Sequence, residues 1–94
     1  MKYDQIKNDF LKEIKADIKN KKAQYENLTG KQQDKAKLKY LEEFKDFTEH
    51  MNSKIYEITD RHEIEFDSAL EFDEFLIYIK PTFDLLHKMY IDVN

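Results

Sequence analysis

An all-α fold is what this sequence predicts, and three observations predict it. Helix breakers are almost absent, with one glycine and one proline in 94 residues. Apolar residues recur at intervals of three and four, the period of one helix face. The positions between them are rich in Lys, Glu, Gln, Leu and Ala, which lose little on entering a helix. The architecture expected is a long antiparallel helical hairpin, with a third, Pro-kinked or split, C-terminal helix packed on its open end. Ninety-four residues make one domain with a modest core, and seven Phe with six Tyr supply much of it.

The first helix is expected over residues 2–28. Tyr3, Ile6, Phe10, Ile14 and Ile18 fall on one line, with Leu11, Tyr25 and Leu28 beside it. No breaker precedes Gly30, and a helix of this length spans about 40 Å at 1.5 Å per residue. The turn is placed at 29–31. Gly30 can take the left-handed conformation that closes a helix, and Thr29 with Gln32 has capping-box spacing. So short a connection makes the two helices antiparallel neighbours.

The second helix is expected over 31–59. Leu41, Phe44, Met51, Ile55 and Ile58 keep a near-heptad register, with Thr48 in the remaining seam position. Leu38, Phe47 and Tyr56 widen the stripe, which implies contact with more than one neighbour. Residues 60–67 form an extended connector, because HEIEFD alternates polar and apolar with Ile64 and Phe66 inward. A small hairpin built from IYEIT and EIEF lacks the Asn-Gly or Asp-Gly turn that would support it.

Ser68 and Glu71 stand at capping-box spacing before an apolar run, so a helix is expected over 68–80. Phe72, Phe75, Leu76 and Ile79 occupy one face while Leu70, Ile77 and Tyr78 cover the others. Apolar nearly all round, this helix reads as a central, buried element. Pro81 either kinks it or opens a separate helix over 82–92, with Phe83, Leu86, Tyr90 and Val93 inward.

The net charge of −4 conceals two electrical ends. Residues 12–39 hold nine lysines against four carboxylates, and residues 40–94 hold fourteen carboxylates against five basic side chains. Residues 12–39 are also poor in apolar side chains, 8 of 28, so the C-terminal helices are expected to leave the hairpin tip as a basic, solvated prong.

Several chemistries are excluded or disfavoured. Without Cys there are no disulfides, thiolate metal sites or cysteine nucleophiles. No Gly-rich segment exists to cradle a nucleotide phosphate. His50, His62 and His87 include no pair at the i, i+4 spacing of a helical zinc site. The acidic stretch DRHEIEFDSALEFDE lacks the central glycine of a calcium loop. Ser53 and Ser68 are the only serines, and neither sits in a strained turn. The expectation is therefore a protein that is not an enzyme and carries no cofactor or metal. MKYDQIKNDF has no apolar leader, and the most apolar window, 75–91, is interrupted by Lys80, Pro81, Asp84, His87 and Lys88. A soluble chain acting in the cytoplasm, away from membranes, is expected.

The function favoured is a small protein-binding module that docks on another protein as inhibitor, immunity factor, adaptor or regulator. Glu63, Glu65, Asp67, Glu71, Asp73 and Glu74 would face a basic partner. The alternative site is the basic tip, where Lys15, Lys19, Lys22, Lys31, Lys35 and Lys39 could line a phosphate backbone while Tyr25 and Tyr40 stack on bases. Acids interleaved at 13, 17, 26 and 34 and the acidic total weigh against it. A third class is an oligomeric assembly subunit, because a hairpin with one wide apolar stripe is suited to pair as a homodimer. Heavy use of Lys, Ile, Asn, Asp and Tyr fits an AT-rich genome, such as that of a low-GC bacterium or its phage.

Overall fold

The computed structural model describes residues 3–93, so the expected helix start at residue 2 lies outside them. Four helices account for most of the described residues: α1 (Asp4–Glu26), α2 (Gly30–Glu42), α3 (Phe44–Arg61) and α4 (Ala69–Ile91). No strand occurs among the described residues, and the connector expected over 60–67 starts two residues later: 60 and 61 close α3, and a turn at 62–63 leads into irregular chain up to Ser68.

Helix α1 buries Ile6, Phe10, Ile14, Ile18 and Tyr25 along the face its spacing marks. After Asn27 the chain reverses through Gly30, whose φ of +59° is accessible to glycine at little cost. The capping box expected here does not form. Thr29 takes the extended backbone of an N-cap, but its hydroxyl makes no capping bond. Gln33 rather than Gln32 spans the turn, its Nε2 donating to Tyr25 O at 3.3 Å.

The single helix expected over 31–59 is divided at Glu43, where ψ opens to 5° before α3 begins. The break is fastened from both sides: Lys21 Nζ holds the Glu43 carboxylate at 2.7 Å, and Tyr40, just before it, is buried. Beyond it α3 buries Phe47, Met51, Ile55, Ile58 and Thr59. Leu38 and Tyr56, expected to widen the stripe, are exposed.

Side-chain pairs give the helix directions. Lys21–Glu43, Asp17–His50, Glu13–Lys54, Glu13–Arg61 and Asp9–His62 descend α1 as they ascend the chain beyond the break, so α1 and α3 run antiparallel. Tyr3 meets Phe75, Phe10 meets Phe83, and Lys22 meets Met89 and Asp92, so α4 runs parallel to α1. Phe44 and Phe47 pack on Tyr90, which closes the third side.

Helix α3 ends in a Schellman motif without glycine. Glu63 N donates to Asp60 O at 3.0 Å and Ile64 N to Thr59 O at 3.2 Å, with Glu63 itself at φ +56°. The motif turns Ile64 and Phe66 onto the core and leaves Glu63, Glu65 and Asp67 exposed. Ser68 then caps α4, its Oγ accepting from Glu71 N at 3.2 Å, while the Glu71 carboxylate reaches back to Asp67 N.

Two expectations about the C-terminal third need correction. First, α4 is one helical run through Pro81, not a pair split into 68–80 and 82–92. Pro81 is exposed and costs one hydrogen bond, whereas Ile79, Thr82 and Leu86 on the opposite face are buried and hold the helix together. Second, α4 is not a central element. It buries Phe75, Ile79, Thr82, Leu86 and Tyr90 and exposes Leu70, Leu76, Ile77, Leu85 and Ile91. With α1 and α3 packed along it and α2 meeting its C-terminal end at Tyr40–Tyr90, the opposite face has no neighbour among the described residues.

The prong is also shorter than expected. Twenty-three residues carry α4 as far along the molecule as Lys22 and Tyr40, so Ile14, Ile18 and Tyr25 lie in the core. Only the turn and the start of α2 extend beyond it. The extents of 53 × 18 × 18 Å and a radius of gyration of 15.6 Å describe a rod. A compact domain of this length would measure about 12 Å.

Candidate protein-docking face

On a helical wheel, residues 70, 73, 74, 77, 81, 84, 85, 88 and 91 share the side of α4 opposite its buried residues, and all are exposed. Leu70 and Ile77 are 69% and 73% exposed, and Leu85 and Ile91 about half. These side chains form an apolar ridge along the outside of the rod. Single exposed leucines are ordinary on protein surfaces, and an aligned series along one helix is what makes this face the candidate site. Tyr56 and Leu76 extend the patch into a 290 Å³ groove between α3 and α4, which Asn52, Ile55, Ile79, Lys80 and Phe83 complete.

The six acidic candidates divide around this ridge. Asp73 and Glu74 flank it, exposed, between Leu70 and Ile77. Glu63, Glu65 and Asp67 stand exposed on the connector at the same end of the rod. Glu71 belongs to the fold instead: half-buried, it accepts from Tyr3 Oη at 3.5 Å and from Asp67 N at 3.4 Å.

The six lysines do not converge on one surface. Lys15, Lys19 and Lys22 line a cleft with Ile18, Glu26, Met89 and Asp92. Lys39 lines another, with Lys21, Tyr25, Tyr40 and Glu43. Lys31 and Lys35 are exposed on α2. Lys22 is structural, because its Nζ donates to Met89 O at 2.8 Å and Asp92 O at 2.5 Å, closing the C-terminus of α4. Tyr25 and Tyr40, offered as base-stacking rings, are buried against each other at 5.2 Å.

Several further titratable groups, Glu13, Asp17, His50, Lys54 and Arg61 among them, are paired across the α1–α3 seam. A cleft of 420 Å³ lies in this seam between Asp17, Asn20, Lys21, Glu43, Asp46, Phe47 and His50, and is bridged by the Lys21–Glu43 and Asp17–His50 pairs. Hydrogen bonding by Lys21 holds the Glu43 carboxyl below its ordinary range, and Arg61 does the same to Glu13. His62 meets Asp9 at 2.7 Å and His87 meets Thr48 at 3.3 Å. Among the described residues no three His, Cys, Asp or Glu side chains are grouped to hold a metal ion, and no helix is long and apolar enough to cross a membrane.

No protein-family model matches the chain, and no curated protein or solved structure matches it. The functional reading therefore rests on geometry and charge.

Reasoning from sequence passed over the ridge, although Leu70, Ile77 and Ile91 stand seven and fourteen residues apart. That spacing places them on one helix side away from Phe75, Ile79 and Leu86. In the sequence the same spacing is indistinguishable from all-round burial, because nothing in a linear chain counts the neighbours available to a helix.

Proposed function

We propose that this chain is a small protein-binding module, acting in the cytoplasm without chemistry of its own. It works by docking on a partner protein, as an inhibitor, immunity factor, adaptor or regulator. One observation carries this reading: the outer face of α4 is an exposed apolar ridge that no other described element covers, flanked by the carboxylates of Asp73 and Glu74. Covering Ile77 and Leu70 fully would contribute about 1.5–3 kcal/mol for each side chain. The flanking carboxylates, with Glu63, Glu65 and Asp67 beyond, favour a basic rim on the partner and speed its approach.

The experiment is affinity capture of the tagged chain from its native host, with wild type and Ile77→Asp compared side by side. The expected result is one stoichiometric partner with wild type and at least a tenfold lower yield, about 1.4 kcal/mol, with the variant. Equal recovery by both chains would remove the ridge from the interface. Ile77 is exposed, so the substitution leaves the fold intact.

A further inference from the structure

We propose that the occupant of this face is a second copy of the chain, laid antiparallel across α4 about a twofold axis beside Pro81. The inference rests on reading the ridge as a protein-docking surface, and it names what covers it.

The sequence of the ridge is self-complementary about its midpoint. Ile77 and Leu85 stand four residues either side of Pro81, and Glu74 and Lys88 seven residues either side. Leu70 and Ile91 stand eleven and ten residues away. An antiparallel copy therefore sets Ile77 against Leu85, Leu70 against Ile91, and Asp73 and Glu74 against Lys88. The twofold makes each contact twice, as an isologous interface requires. A parallel copy would set carboxylates on carboxylates and Lys88 on Lys88, which disfavours that arrangement.

The ion pairs inside the chain sharpen the argument. Lys80 is already paired with Asp84 at 2.9 Å, and Glu71 is held by Tyr3 and the connector. Asp73, Glu74 and Lys88 form no ion pair among the described residues, and all three are exposed. The α4 charges with no ion pair among the described residues are the ones the twofold brings together. One helix pair buries no more than the low end of stable interfaces, about 1,200 Å² in total, so micromolar dissociation is expected.

Sedimentation equilibrium of the full chain, from low micromolar to near-millimolar concentration, tests the proposal. Wild type should pass from monomer to dimer. Ile77→Asp, Lys88→Glu, and Asp73→Lys with Glu74→Lys should each weaken the dimer about tenfold or more. An equimolar mixture of Lys88→Glu with the Asp73→Lys, Glu74→Lys double variant should recover it as a heterodimer, because both twofold-related contacts become attractive again. Circular dichroism of each variant should match wild type, all four positions being exposed.

A wild-type chain that stays monomeric throughout, a dimer indifferent to these substitutions, or a mixture that fails to associate would each overturn self-docking. None of these results bears on capture of a different partner by wild type and its loss with Ile77→Asp. Retention of such a partner by Ile77→Asp would instead overturn the docking face itself.

Discussion

Tyr40 and Tyr90 are stacked 4.2 Å apart, and each hydroxyl donates to the other's backbone carbonyl at 2.6 Å. Both carbonyls lie in the last turn of a helix, α2 and α4 respectively, where no intrahelical donor is available. The pair thus joins two helix ends while keeping two buried hydroxyls satisfied. Tyr90→Phe should cost about 1–3 kcal/mol, because the Tyr40 carbonyl loses its buried donor; urea unfolding near neutral pH measures this. Glu63 offers the opposite case, a side chain in the left-handed region where glycine is at ease. Glu63→Gly should stabilise by about 1 kcal/mol, visible as a raised urea midpoint with an unchanged slope.

Among the elements, α4 carries both the anomaly and the candidate face. Pro81 sits on its outer side, and the fold tolerates the missing hydrogen bond because the inner face is packed. Pro81→Ala should stabilise the chain by about 1–3 kcal/mol, offset in part by the freer unfolded chain. A loss of stability on that substitution would mean the helix depends on a bend there. The C-terminus of the same helix is held by Lys22. Lys22→Met keeps the aliphatic stem but removes the donor to Met89 O and Asp92 O. Faster amide exchange confined to the last turn of α4 is expected, at a cost of about 1 kcal/mol.

For the molecule as a whole, pH stability follows from where its titrating groups sit. Burial foremost pushes the Tyr90 hydroxyl up to about 12, and it raises Tyr40 further. The unfolded chain therefore releases these protons first, near pH 10, and stability falls as pH rises from there. At the acid end Glu13 and Glu43 titrate below the ordinary value of 4.5, so their contribution is present above that pH. It is lost as pH falls through the lowered values. A thermal midpoint series from pH 2 to 12 should show a plateau with both shoulders. Tyr90→Phe should flatten the alkaline one, and an unchanged shoulder would assign it elsewhere.

The sequence by itself determined the helical class, the reversal at Gly30, the inward face of α1 and the inward Ile64 and Phe66. Each depends on local period or on the conformational range of one residue, which a linear chain displays. Tertiary structure alone decided the break at Glu43, the recruitment of Lys22 and the buried tyrosine pair, because these answer to carbonyls and neighbours remote in sequence. It also decided the candidate face. Helix α4 is apolar on more sides than α1 and α3 can cover, and how many neighbours a helix finds is a property of packing rather than of its own residues.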